Sequence, residues 1–183
     1  VKIQGVGLHG LKGPPGPIYC GNSGTSMRLL SGILAAQQFD TVMTGDPSLS
    51  KRPMERVARP LRAMGAEIRT TGEKGTPPVT VTGSRPLHGI RYDMPVASAQ
   101  VKSGVLLAGL WAEGETVVTE PAPTRDHTER MLRGFGYAVK VEGATVTLKG
   151  CGRLTATRID VPANISSAAF FMVGASIAEG SDV

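Results

Sequence analysis

The chain repeats itself, and the repeat limits the folds open to it. Ser31-Gly32-Ile33-Leu34 is matched by Ser103-Gly104-Val105-Leu106, and TVMTGDP (41–47) by TVVTEP (116–121). LRAMGAEI (61–68) is matched by LRGFGYAV (132–139), and the alternating VTVT (79–82) by TVTL (145–148). A third copy opens near the end, where AEGSDV from Ala178 echoes AEGETV from Ala112. A period of about 70 residues is longer than solenoid repeats, so the unit is a small supersecondary block.

One unit reads strand, helix, strand, helix, strand, strand. The first helix of each copy (28–38, 99–111 and 166–178) is apolar on nearly every face and rich in Ala, Gly and Ser. A helix apolar all round is buried, and small residues let other helices come close. The second helix (54–64 and 126–135) is amphipathic, with Arg and Glu on its wet side. Gly65 and Gly136 stand where a left-handed residue would end it. Strands alternating with helices in every unit predict an α/β architecture with helices packed inside sheets.

The repeat divides the chain into residues 1–18, a linker and strand from a preceding unit; 19–84 and 85–150, two units; and 151–183, a crossover to the next. The first residues carry no signal peptide or initiator Met, and both ends read as cut from something longer. With 183 residues the chain can bury a sizeable core. Its net charge of +5 comes from dispersed Lys and Arg without interleaved aromatics. That argues against a nucleic-acid surface and suits small acidic ligands. No run is long and apolar enough to span a bilayer. Cys20 and Cys151 stand far apart without metal or redox spacing, which suggests a reduced, cytoplasmic protein.

Two segments have the build of an anion site: GNSGTSMR (21–28) and GDPSLSKRPM (45–54). In the first, Asn22, Ser23 and Thr25 are each able to cap a helix starting near Ser26. Gly21 and Gly24 let backbone approach a ligand, and free N–H groups with Arg28 favour an anion. A plain capped helix with an outward Arg28 explains the pattern equally well. The segment is no P-loop, lacking the GK[ST] ending. In the second, Pro53 suits the first position of a helix. Lys51 and Arg52 then oppose the helix dipole, a cost more easily understood if Arg52 grips a carboxylate or phosphate; two solvated charges are the plainer alternative.

The second unit offers Ser98-Ala99-Gln100 at its buried helix start, with Lys102 two residues on, and TRDHTE (124–129) at its amphipathic one. Ser98 is a cap and Gln100 a hydrogen-bond donor to phosphate or hydroxyl. Arg125 falls in the region that repeats Arg52. His127 reads as a helix-surface histidine, with no nucleophile paired to it. Asp46, Glu120 and Asp160 sit at strand ends, where turn acids are common.

Taken in order, GNSGTSMR, GDPSLSKRPM, PVASAQVKS from Pro95, TRDHTE and VPANISSAAFF from Val161 closely resemble the EPSP synthases, from about Tyr19 to the end. The resemblance implies an inside-out α/β barrel built of βαβαββ units, three to a domain, with ligands between two domains. It implies enolpyruvyl transfer from phosphoenolpyruvate to the 5-hydroxyl of shikimate 3-phosphate, in aromatic amino acid biosynthesis, with no metal or organic cofactor. Asn22, Gly24, Arg52 and Gln100 would line the phosphoenolpyruvate pocket, for which glyphosate competes. Ser98, Ala99, Gln100 and Arg125 would hold shikimate 3-phosphate, and Thr25, Arg28 and Lys51 would support the corner. The family's KSxSxR signature and most of its second domain, which carries the proton-transfer groups, have no match here. The isolated chain is therefore expected to be inactive or nearly so, and to self-associate, whereas the full-length enzyme is expected to be a monomer. No catalytic residue is assigned within it.

Two alternatives remain: a non-catalytic anion-binding module, and one part of a split enzyme completed by a partner chain. The sibling UDP-N-acetylglucosamine enolpyruvyl transferases would want a reactive Cys where this chain has Lys51-Arg52-Pro53.

Overall fold

Side-chain alternation and helix stops place the elements. The computed structural model describes residues 2–161 with 169, 172, 173, 175–178 and 180. The expected helix at 166–178 and the VPANISSAAFF motif lie largely outside these residues. The first block runs β1 (Ile18–Tyr19), α1 (Gly24–Leu34), β2 (Thr41–Thr44), α2 (Glu55–Ala63), β3 (Glu67–Thr70), β4 (Val79–Thr82). The second runs β5 (Arg91–Asp93), α3 (Ala99–Gly109), β6 (Glu115–Thr119), α4 (His127–Gly134), β7 (Val139–Glu142), β8 (Thr145–Lys149). Both have the order βαβαββ.

The two sheets share one topology, β1-β2-β4-β3 and β5-β6-β8-β7. In each, the first pair is parallel and joined by the buried helix, and the other pairs are antiparallel. Alternation sets the register: Val79 and Val81 of β4, and Val146 and Leu148 of β8, face the core. The amphipathic helices end as their glycines require. Gly65 (φ 101°) and Gly136 (φ 75°) follow α2 and α4 in the left-handed region. The next residues, Ala66 and Tyr137, donate back to Leu61 and Leu132.

The core lies between the sheets, around α1 and α3. Every residue from 101 to 110 is buried. The repeated Ser-Gly pair explains how the two helices cross. A Cβ on Gly32 would overlap the Gly104 carbonyl, and one on Gly104 would stand 3.0 Å from the Arg28 carbonyl oxygen and 2.9 Å from Val57. Ser31 spends its hydroxyl on the Met27 carbonyl at 2.8 Å, so its burial leaves no orphan donor.

Candidate functional site

The chain turns from β1 into α1 at Gly21 (φ 55°), and Ser23 accepts from Ser26 N–H at 3.1 Å as the helix cap. Helix α1 thus begins at Gly24, two residues before the start expected near Ser26, and Asn22 is left free of capping. Its amide Oδ1 instead accepts from Arg52 Nη2 at 2.7 Å, and its Nδ2 donates to Asp46 Oδ2 at 2.8 Å. Asp46 Oδ1 accepts from Leu49 N–H at 2.7 Å. The Leu49 N–H first, and the Asn22 amide after it, hold the Asp46 carboxyl below its ordinary pKa.

The second segment differs from its expected form. Lys51 ends a short 3-10 turn, Leu49–Lys51, and Arg52 is extended (φ −89°, ψ 133°). Helix α2 starts only at Glu55, with Met54 at the cap, so Pro53 is not its first residue. Arg52 therefore precedes the helix and does not oppose its dipole at the first turn, which is held by Glu55. It reaches back to Asn22 and to Ser48 Oγ at 3.3 Å. Lys51 is exposed, without a side-chain hydrogen bond among the described residues.

Arg28 meets Arg52 over Gly24. A Cβ there would stand 2.8 Å from Arg28 Nη1 and 3.6 Å from Arg52 Nη1. Arg28 donates to Gln100 Oε1 at 2.8 Å and to the Pro53 carbonyl at 3.0 Å. Burial foremost, then the charges of Arg52 and Arg56, lower the Arg28 pKa, yet a guanidinium stays protonated. Among the described residues, every hydrogen-bond acceptor of Arg28 and Arg52 is neutral. Two cations thus converge on a buried glycine with no carboxylate bonded to either.

Gln100 joins the second unit to this corner. Its Nε2 donates to Thr25 Oγ1 at 2.6 Å while its Oε1 serves Arg28. Ser98 caps α3 through Val101 N–H at 3.3 Å, and Ala99 is the first helical residue. The structure therefore brings Asn22, Gly24, Thr25, Arg28, Arg52 and Gln100 into one hydrogen-bonded corner beside Ser98 and Ala99. Arg125 is exposed and has no hydrogen bond or ion pair among the described residues. Ala97 stands before the Ser98 cap where Asn22 stands before Ser23, so this unit has no amide in that place to hold an arginine.

Lys102 goes elsewhere, to a cluster that sequence reasoning missed. It is 1% exposed, and its Nζ lies 2.6 Å from both Glu120 Oε1 and Glu129 Oε1. Burial alone would lower its pKa; hydrogen bonds to Glu120 and Glu129 and their charges outweigh that and raise it. Thr124 donates its hydroxyl to Glu120 Oε2, so it does not cap α4. Asp126 occupies the cap position without a side-chain hydrogen bond. One charge in an otherwise apolar helix was the available signal, because buried lysines are nearly always paired. Removing Lys102 alone would leave two buried carboxylates uncompensated, a cost of about 3–5 kcal/mol.

Among the described residues no group of three or more His, Cys, Asp or Glu is placed to hold a metal, and no helix is long and apolar enough to cross a membrane. Comparison with known proteins agrees with the motifs. A family model described as EPSP synthase (3-phosphoshikimate 1-carboxyvinyltransferase) matches residues 2–183. The chain is 69% identical over 183 residues to the 3-phosphoshikimate 1-carboxyvinyltransferase of Alkalilimnicola ehrlichii, covering all of this chain and 41% of that protein. It is 68% identical to that of Methylococcus capsulatus, covering all of this chain and 42% of the relative. The solved EPSP synthase from Acinetobacter baumannii superposes with a TM-score of 0.87 at 73% identity, over 97% of this chain and 40% of that one. The chain thus spans about two fifths of the length of the relatives it matches.

Proposed function

The chain belongs to the EPSP synthase family, and we propose that it forms one wall of the site where enolpyruvyl passes from phosphoenolpyruvate to the 5-hydroxyl of shikimate 3-phosphate. The observation that carries this is the meeting of Arg28 and Arg52 over Gly24, with only neutral acceptors on either. A phosphate or carboxylate there would receive charge-assisted bonds from guanidiniums already held in place. Asn22, Gly24, Arg52 and Gln100 take phosphoenolpyruvate; Thr25, Arg28 and Lys51 support that corner. Ser98, Ala99, Gln100 and Arg125 take shikimate 3-phosphate, with Gln100 between the two ligands. Glyphosate, a small anion, fits the same corner, and a methyl on Gly24 would press on the Arg28 guanidinium.

In this reading residues 19–84 and 85–150 are consecutive βαβαββ units of one domain, the protein is cytoplasmic, and the enzyme of which this chain forms a wall is monomeric. A cleft needs two walls, so the 183-residue polypeptide alone binds substrate but does not turn it over. Calorimetric titration with shikimate 3-phosphate, then phosphoenolpyruvate, tests this. Binding should be measurable, and Arg52→Ala should weaken phosphoenolpyruvate about 10- to 100-fold, the loss expected for hydrogen bonds to a charged group. Equal affinity in Arg52→Ala would overturn the assignment. In a second reading the chain is one part of an enzyme completed by another chain; binding only after that chain is added would support it.

A further inference from the structure

We propose that the buried Lys102–Glu120–Glu129 cluster is a positioning device, which fixes the 121–126 loop, and with it Arg125, relative to the Ser98-Ala99-Gln100 turn. Three elements each supply one charge: Lys102 from α3, Glu120 from the end of β6, Glu129 from α4. Lys102 N–H donates to the Ser98 carbonyl at 3.0 Å, so the ammonium is anchored one turn into the same helix that carries the Ser98 cap. Glu120 is fixed in turn by its N–H, which donates to Ala144 at 2.9 Å.

The loop between β6 and α4 has little else to hold it. Of residues 121–126 only Thr124 is partly buried, and Pro121 and Pro123 have no N–H to donate. Among the described residues no backbone N–H of 121–126 makes a hydrogen bond. Among the described residues its ties are the Thr124 hydroxyl to Glu120, the Asp126 carbonyl, which accepts from Arg130 N–H at 3.0 Å, and the exposed Asp126–Arg130 side-chain pair at 3.5 Å. A second buried bond, Thr128 Oγ1 to Ser103 Oγ at 2.7 Å, runs beside the cluster and joins the same two helices. Arg125, next to Thr124, therefore takes its place from a carboxylate that Lys102 holds. Lys102 touches no ligand in this scheme; it acts through Glu120 and Thr124.

The ligand-binding half of the proposal rests on the site reading above, and the geometric half does not. The test uses Thr124→Val, which removes one hydroxyl and no charge, with Lys102→Met beside it. Nitrogen-15 relaxation on the chain should show order parameters at 124–126 dropping from ordered values to below about 0.6 in Thr124→Val, with α1 and α3 unchanged. Shikimate 3-phosphate affinity should fall about tenfold in Thr124→Val and no further when Arg125→Ala is added, because coupled residues are not additive. Lys102→Met, where it folds, should move both readouts the same way. Unchanged order at 124–126, or losses that simply add, would overturn the proposal. If the unmodified chain binds no shikimate 3-phosphate, its reading as a wall that binds substrate alone fails, and the relaxation data alone decide the positioning.

Discussion

At the scale of single residues, the corner is built by freeing side chains for new work. Ser23 takes the cap, so Asn22 is available to hold Arg52, and Asp46 holds Asn22 in turn. Asp46 carries a testable pH signature. Its folded pKa is depressed, so the stability it contributes is present above the unfolded value, about 3.9, and is lost as pH falls through the lower folded value. The melting temperature of Asp46→Asn should therefore lie below that of the unmodified chain at neutral pH. The gap should close in acid, once the carboxyl is protonated. A gap that stays constant would remove Asp46 from this role. The two segments that meet at this corner were legible in the sequence because Gly, Ser and Arg are the types that permit close approach, cap a helix and carry charge. The partners were not: Gln100 lies 72 residues from Arg28 and 75 from Thr25, and only the folded units bring them together.

At the scale of elements, the repeat made the order βαβαββ readable, since each helix period and strand alternation occurs twice. Helix starts were less readable. Small residues Gly24, Thr25 and Ser26 look like loop, yet the Ser23 cap draws them into α1; Pro53 looks like a helix start, yet the 3-10 turn before it delays α2 to Glu55. Lys102 shows the same limit, since its two acids come from other elements. The α1–α3 crossing gives a prediction whose sign is opposite to helix propensity. Gly32→Ala gains up to about 1 kcal/mol of propensity but drives a methyl into the Gly104 backbone. Net destabilisation of about 1–3 kcal/mol is expected from overpacking. Gly134 at the end of α4 has nothing within 4 Å of an added Cβ, so Gly134→Ala should be neutral or stabilising. Urea unfolding of both variants checks this. A stabilised Gly32→Ala would mean that the two helices do not cross there.

At the scale of the whole molecule, the described residues leave a cavity on one face of the α1–α3 core. A cavity of about 1040 Å³ is lined by Ile33, Leu107, Trp111, Met131, Phe135 and Leu154, among others. Residues 5–11 run along its edge, and Trp111 Nε1 donates to the Leu8 carbonyl at 2.8 Å. Apolar lining that meets solvent, as here, gives a second copy something to pack against. Sedimentation velocity on the isolated polypeptide should show a concentration-dependent shift to larger species. A single monomeric boundary at all concentrations would contradict that expectation.

The central claim, that these residues form a working wall of an enolpyruvyl-transfer site, is tested most directly in a chimera. The matching segment of the Acinetobacter baumannii synthase, which is 73% identical, is replaced by this chain, and phosphate release from phosphoenolpyruvate is measured with shikimate 3-phosphate present. The expected result is turnover by the chimera and its loss, by about two orders of magnitude or more, in the same chimera carrying Arg52→Ala, as for removal of a charge-stabilising group. A folded chimera without turnover, or one indifferent to Arg52→Ala, would contradict the claim.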